Sequence, residues 1–210
     1  MTHEIIIVDT NCFVRLYFSN LRPLLGVEVA GHKLVTIKEL ANETTSKSGL
    51  NIRHPWLAGA DIQTELNAAI LELSDSDDQQ YDEDAEYYRI QGDEFLARLC
   101  KERNLLEPRQ LSTADAKALA VALACGYSLA TDEWPLREFS QFVEPDENGK
   151  CITILSSLDL LKLFQSSDQM SMELIRSTVR GWILSDERLP YRWQARYQDL
   201  FDEPPPNAQG

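Results

Sequence analysis

Four carboxylates stand where the chain leaves a strand or enters a helix: Asp9, Glu39, Asp115 and Asp132. Asp9 ends the run Ile5-Ile6-Ile7-Val8, four β-branched residues without alternation, which is how a strand buried on both faces of a parallel sheet reads. Glu39 follows the apolar run 33–37, Asp132 follows 127–131, and Asp115 opens an alanine-rich helical stretch. Right-handed crossovers bring such ends to one rim of a parallel sheet, where open α/β folds place their ligands. Converging carboxylates repel and are costly to desolvate unless a cation joins them. An all-oxygen set suits Mg2+ or Mn2+. The chemistry those ions serve is phosphoryl transfer or phosphodiester hydrolysis by a metal-activated water.

Each acid also has a purely structural role open to it. Asp9 can cap the next helix, Glu39 can be a first-turn charge, Asp115 completes a capping pattern with Ser112, and Asp132 can start a turn. Those are four separate accidents, whereas a metal site accounts for all four together. No side-chain nucleophile is needed, and His3, His32 and His54 have no Ser or Cys partner in a recognisable motif.

The elements that must position these acids are read from periodicity and punctuation. The spacing predicts a helix over Arg15–Leu25 after the first strand, capped at Thr10 or Asn11 and ended by Gly26. A second strand is expected over Lys33–Ile37 and a helix over Lys38–Thr45, with Glu43 one turn beyond Glu39 on the same side. Residues 46–55 read as a loop, Ala58–Leu73 as a helix, Ser74–Gln80 as an acidic loop and Asp82–Asn104 as a helix. Ser112 to Gly126 bound the clearest helix, and strands follow at Tyr127–Thr131 and Thr153–Ser156, with a short helix at Leu158–Phe164. Two further helices are expected at Ser171–Ser185 and Pro190–Phe201, followed by a frayed proline-rich tail. The last helix would carry Arg188, Arg192 and Arg196 at i, i+4 and i+8, beside Trp193, Tyr197 and Phe201. This row is a candidate nucleic-acid contact; the aromatics can equally pack onto the domain while the arginines face water.

The 210 residues suffice for one α/β domain with an appendage, and 43% hydrophobic with 26% charged residues is the balance of a globular chain. No window has the length of a membrane span and the start has no signal-like pattern, so a cytoplasmic protein is expected, its four scattered cysteines reduced. The net charge of −14 argues against nucleic-acid binding by bulk electrostatics. The excess is local, however: residues 61–100 hold twelve acids against Arg89 and Arg98.

The stretches I-I-I-V-D-T-N at 5–11, L-V-T-I-K-E-L at 34–40, A-D-A-K-A-L-A-V-A-L-A-C-G at 114–126 and L-A-T-D at 129–132 together resemble the PIN-domain family of metal-dependent nucleases. The resemblance spans roughly residues 4–165 and implies a three-layer α/β/α sandwich with a central parallel sheet. It implies that Asp9, Glu39, Asp115 and Asp132 surround Mg2+ or Mn2+, with Asn11 and Thr131 at supporting polar positions and Glu43 and Glu133 as neighbours able to substitute or assist. It further implies an endoribonuclease, and for the VapC-type toxins of the family a basic antitoxin as partner; the acidic surface around 72–94 reads either as a solvated helical face or as the place where such a partner docks. A phage-defence role and a homodimer are also compatible with the resemblance. The expected organisation is a nuclease domain over 1–165, containing a helical acidic insert at 46–108, and a helical extension over 166–210. The alternatives are a non-catalytic binding or scaffold protein of the same fold, and a structure-specific DNA nuclease using the same metal site.

Overall fold

The computed structural model describes residues 4–17, 19–29, 31–45, 52–105, 109–143, 151–187 and 189–207. They form a mixed α/β protein around a five-stranded, mostly parallel sheet. The central strand β1 (Glu4–Val8) pairs in parallel with β3 (His32–Val35) on one side and β4 (Ser128–Ala130) on the other. β5 (Ile154–Leu155) extends the β4 side in parallel, and β2 (Glu28–Val29) closes the β3 side antiparallel. The order is β2-β3-β1-β4-β5.

The unalternating run in β1 has a direct structural cause. Successive side chains of a strand point to opposite faces, and both faces are covered. Ile6 and Val8 enter one apolar cluster with Phe13, Leu16, Leu161 and Trp182. Ile7 enters another with Leu40, Leu119 and Leu136. None of the three strand residues is more than 1% exposed.

Nine named helices surround the sheet among the described residues: α1 (Thr10–Leu16), α2 (Lys38–Glu43), α3 (Ala60–Ala68), α4 (Asp75–Glu102), α5 (Thr113–Cys125), α6 (Trp134–Ser140), α7 (Ser157–Ser166), α8 (Met172–Leu184) and α9 (Trp193–Phe201). None is long and apolar enough to cross a membrane. α5 has the expected bounds, with Ser112 Oγ accepting the Asp115 N–H at 3.0 Å and Gly126 left-handed at φ 68°. It precedes β4 and runs back against the strands, so its N-terminus and Asp115 lie at the rim where the strands end.

Three expectations are corrected. The first helix stops at Leu16, and Arg22–Leu24 is a separate 3-10 turn with Pro23 inside it; a continuous helix would lose the backbone bond that proline cannot donate. The acidic loop at 74–80 is instead the opening of the 28-residue α4. Ser74 Oγ accepts the Asp77 N–H at 3.2 Å, and Asp75, Asp77 and Asp78 sit at the positive end of the helix dipole. The last helix starts at Trp193, not Pro190, because Arg192 is left-handed at φ 60°. The predicted arginine row is therefore broken: Arg192 precedes the helix, Arg196 pairs with Asp159, and Arg188 lies outside the described residues, as do 46–51 of the predicted loop.

The helices of the extension share the core of the sheet. Trp182 and Tyr197 are fully buried in the cluster that contains Val14 and Leu16, and the Trp182 indole donates to the Arg15 carbonyl at 2.8 Å. The aromatics of α9 thus pack inward.

Candidate active site: an acidic rim beside an arginine-lined cleft

Asp9 follows β1 directly and is 1% exposed. Its Oδ1 accepts the Cys12 N–H at 2.7 Å, so it caps α1, and its Oδ2 accepts the Thr131 hydroxyl. Despite these bonds its carboxyl is pushed up to about 8. Burial is the main cause, and the fields of Asp115 and Asp132 add to it, against the two hydrogen bonds. Asp115, half-buried, accepts the Ser112 hydroxyl at 2.7 Å. It is raised to about 6, again by burial first and then by Glu43.

Two acids that the sequence placed only as neighbours join this pair. Glu43, in the last turn of α2, accepts the Thr10 hydroxyl at 2.7 Å. Burial raises its carboxyl and Glu133 raises it further. Glu133 accepts the Asn11 amide. Burial raises it, as do Asp115 and Asp132, while Arg15 and Asn11 pull the other way. Asp9, Glu43, Asp115 and Glu133 are therefore four desolvated carboxyls from four separate segments, linked by mutual repulsion.

The other two predicted ligands are engaged by cations of the chain. Asp132, with its side chain 2% exposed, forms an ion pair with Arg15 at 2.7 Å. It also accepts the Ser157 N–H at 3.2 Å and the Ser157 hydroxyl at the start of α7. The extended segment 131–133 explains the split: alternate side chains turn opposite ways, so Thr131 and Glu133 go with Asp9 and Asn11 while Asp132 goes to Arg15. Glu39 is bound at 2.9 Å by Lys117, which is 1% exposed and also holds Asp78 at 2.6 Å and Asp82 at 2.8 Å. Burial opposes the charge on Lys117, but its bonds to these acids hold its ammonium well above the usual lysine range.

The donor set fits a hard divalent cation in its chemistry, since all the ligating atoms are carboxylate oxygens that lack solvation and repel one another. In the arrangement described, they are turned onto Thr131, Cys12, Ser112, Thr10 and Asn11. Among the described residues no three His, Cys, Asp or Glu side chains stand close enough to enclose an ion, so binding one requires those side chains to exchange hydrogen bonds for the cation.

Of the four acids, Glu133 lines a cleft of about 1000 Å3, together with Asn11 and Asp132. The cleft also carries Arg15, Arg53, Arg103, Arg109 and Arg192, beside the further acids Glu138 and Glu187 and the aromatic rings of Trp134 and Tyr191. Arg103 stands over the Trp134 ring at 5.8 Å and pairs with Glu138 through both ends of its guanidinium, each at 3.0 Å. Only Arg192 had a sequence signal, and that signal was the helical row the structure breaks. The others come from segments distant in sequence, which no local pattern brings together. The chain matches no family model, no curated protein and no solved structure.

Proposed function

We propose that this chain is a metal-dependent nuclease, with the helices on the two sheet faces forming a PIN-like three-layer α/β/α sandwich. One observation carries the reading: of four desolvated carboxyls that raise one another, Asp9 to about 8 and Asp115 to about 6, one, Glu133, opens onto a cleft that also carries five arginines. Acids that want a divalent cation beside cations that suit phosphates are what phosphodiester hydrolysis requires.

The residues that would hold the ion are Asp9, Glu43, Asp115 and Glu133. Glu43 and Glu133 take the places that sequence position alone assigned to Glu39 and Asp132. When bound, Mg2+ or Mn2+ supplies a water of lowered pKa and a positive charge against the developing phosphate charge. The chain does the rest. Thr131 and the Cys12 N–H fix the Asp9 carboxylate, Asn11 and Thr10 orient Glu133 and Glu43, and Arg109 and Arg192 of the cleft receive the phosphodiester backbone. Arg15 and Lys117 neutralise Asp132 and Glu39, which limits the negative charge that the substrate must approach. RNA is the favoured substrate and DNA the other. The second reading, a non-catalytic binding protein of the same fold, draws on the fact that among the described residues no three acids enclose an ion.

The test is cleavage of labelled RNA and of single- and double-stranded DNA with Mn2+, Mg2+ or EDTA, alongside variants. Glu43→Gln and Glu133→Gln are expected to lower the rate at least about 100-fold with little change in melting temperature. Glu39→Gln is expected to act through stability instead, because it removes a partner of buried Lys117. Cleavage that survives in EDTA or in Asp9→Asn sinks the metal mechanism. No cleavage of any substrate, with no thermal shift on adding Mn2+, establishes the binding protein instead.

A further inference from the structure

The turn Pro190–Trp193 separates two clefts. Pro190, Tyr191 and Arg192 line both the large one beside the acids and a second of about 340 Å3 that also includes Arg137 and Arg196. The turn is closed by the Trp193 N–H to the Pro190 carbonyl at 3.0 Å. Its third residue, Arg192, has φ 60°, a position usually given to glycine or asparagine. Tyr191 at the crest is 85% exposed, and the Arg192 guanidinium lies over its ring at 5.1 Å. Behind it Trp193 packs against the core cluster, so the crest is displayed from an anchored base.

An exposed ring backed by a guanidinium, between two arginine-bearing clefts, has the makings of a stacking platform. Every unpaired base offers a π-face to such a ring, while a base inside a duplex does not. Arg192 and, on the far side, Arg137, whose guanidinium also donates to the Thr131 carbonyl at 2.9 Å, can follow the phosphates as the strand crosses, while Arg196 is held by Asp159. We propose that the Tyr191–Arg192 crest is a binding subsite for single-stranded nucleic acid: one base stacks on Tyr191, Arg192 takes the adjoining phosphate, and the strand continues from the acidic centre across the crest toward Arg137. The inference rests on the nuclease reading for the direction of the strand, but its binding step does not need the metal.

The experiment measures fluorescence anisotropy of a labelled 12-nucleotide RNA, the same DNA single strand and its duplex, with full-length protein in EDTA. Wild type is expected to bind the single strands more tightly than the duplex. Tyr191→Leu is expected to weaken single-strand binding about tenfold, and Tyr191→Phe, which keeps the ring, to restore it. Arg192→Gly suits the backbone at φ 60°, so its melting temperature holds or rises while affinity falls and the salt dependence loses about one ion contact. No single-strand binding by wild type, equal binding of duplex, no effect of Tyr191→Leu, or equal loss in Tyr191→Phe each overturns the subsite. The two proposals fail separately. Binding through Tyr191 without cleavage in Mn2+ defeats only the nuclease, and cleavage in Mn2+ with unchanged KM in Tyr191→Leu defeats only the subsite.

Discussion

Asp9 sets a carboxyl where a charge is poorly solvated. Burial pushes it up to about 8, from an ordinary aspartate value near 3.8. The metal-free folded protein therefore keeps a proton that the unfolded chain has released, and stability falls as pH rises from about 4 to 8. Asp9→Asn keeps the cap on α1 and removes the charge. With EDTA present, its melting temperature relative to wild type is expected to climb from pH 5 to pH 8, by several degrees in all, and to level off above pH 8. Thermal melts of both proteins from pH 5 to 9 test this, and parallel curves would show that the Asp9 carboxyl is not desolvated. Adding Mn2+ should narrow the gap most at high pH, where Asp9 is ionised. The same residue scale shows what the chain discloses locally. Asp9 and Asp115 are legible because a strand end and a helix start place them. The engagement of Glu39 and Asp132 by cations, which leaves Glu43 and Glu133 beside them, is not. It depends on where Lys117 and Arg15 reach, and those contacts join residues 78 and 117 positions apart.

At the scale of elements, α4 is the piece that connects surface charge to the site. Its first turn reads as a loop because Ser, Asp and Gln dominate it, yet the same residues are good at a helix start, where the serine caps and the acids meet the dipole. The long acidic face is thereby part of the structure: Asp78 and Asp82 rise from it to Lys117, the partner of Glu39. Ser74→Ala is expected to cost about 1 kcal/mol, a fall of roughly 2–4 °C. Amide exchange should accelerate over residues 75–82 and leave the middle of α4 unchanged. Uniform acceleration along the helix would mean that the cap does not govern its start. The four parallel strands and α5 were legible for a different reason: their apolar runs and the Ser112–Gly126 brackets are local signals that tertiary contacts had no cause to override, whereas the two-residue antiparallel β2, in a stretch that reads as a loop, carries no such run.

For the whole molecule, the extension behaves as core. Trp182 from α8 fills the cluster beneath α1 and bonds the Arg15 carbonyl, while the Arg15 side chain holds Asp132. One residue thus couples the extension to the rim of the sheet. Trp182→Ala removes a fully buried indole and its bond to that carbonyl, and is expected to cost about 3–5 kcal/mol. A chain ending at Gln165 loses Tyr197 and Phe201 from the same cluster as well, and should fail to give a cooperative unfolding transition. In the intact protein, urea unfolding followed by tryptophan fluorescence and by far-UV circular dichroism should give coincident curves, because α8 and α9 cannot leave without opening the face of β1 that bears Ile6 and Val8. Two separated transitions, or a Gln165-terminated chain that melts cooperatively, would make residues 166–210 an independent unit. Coincident curves would tie the Tyr191 crest to the same cooperative structure as the acids it adjoins, since the crest is mounted on Trp193 and Trp193 on that core.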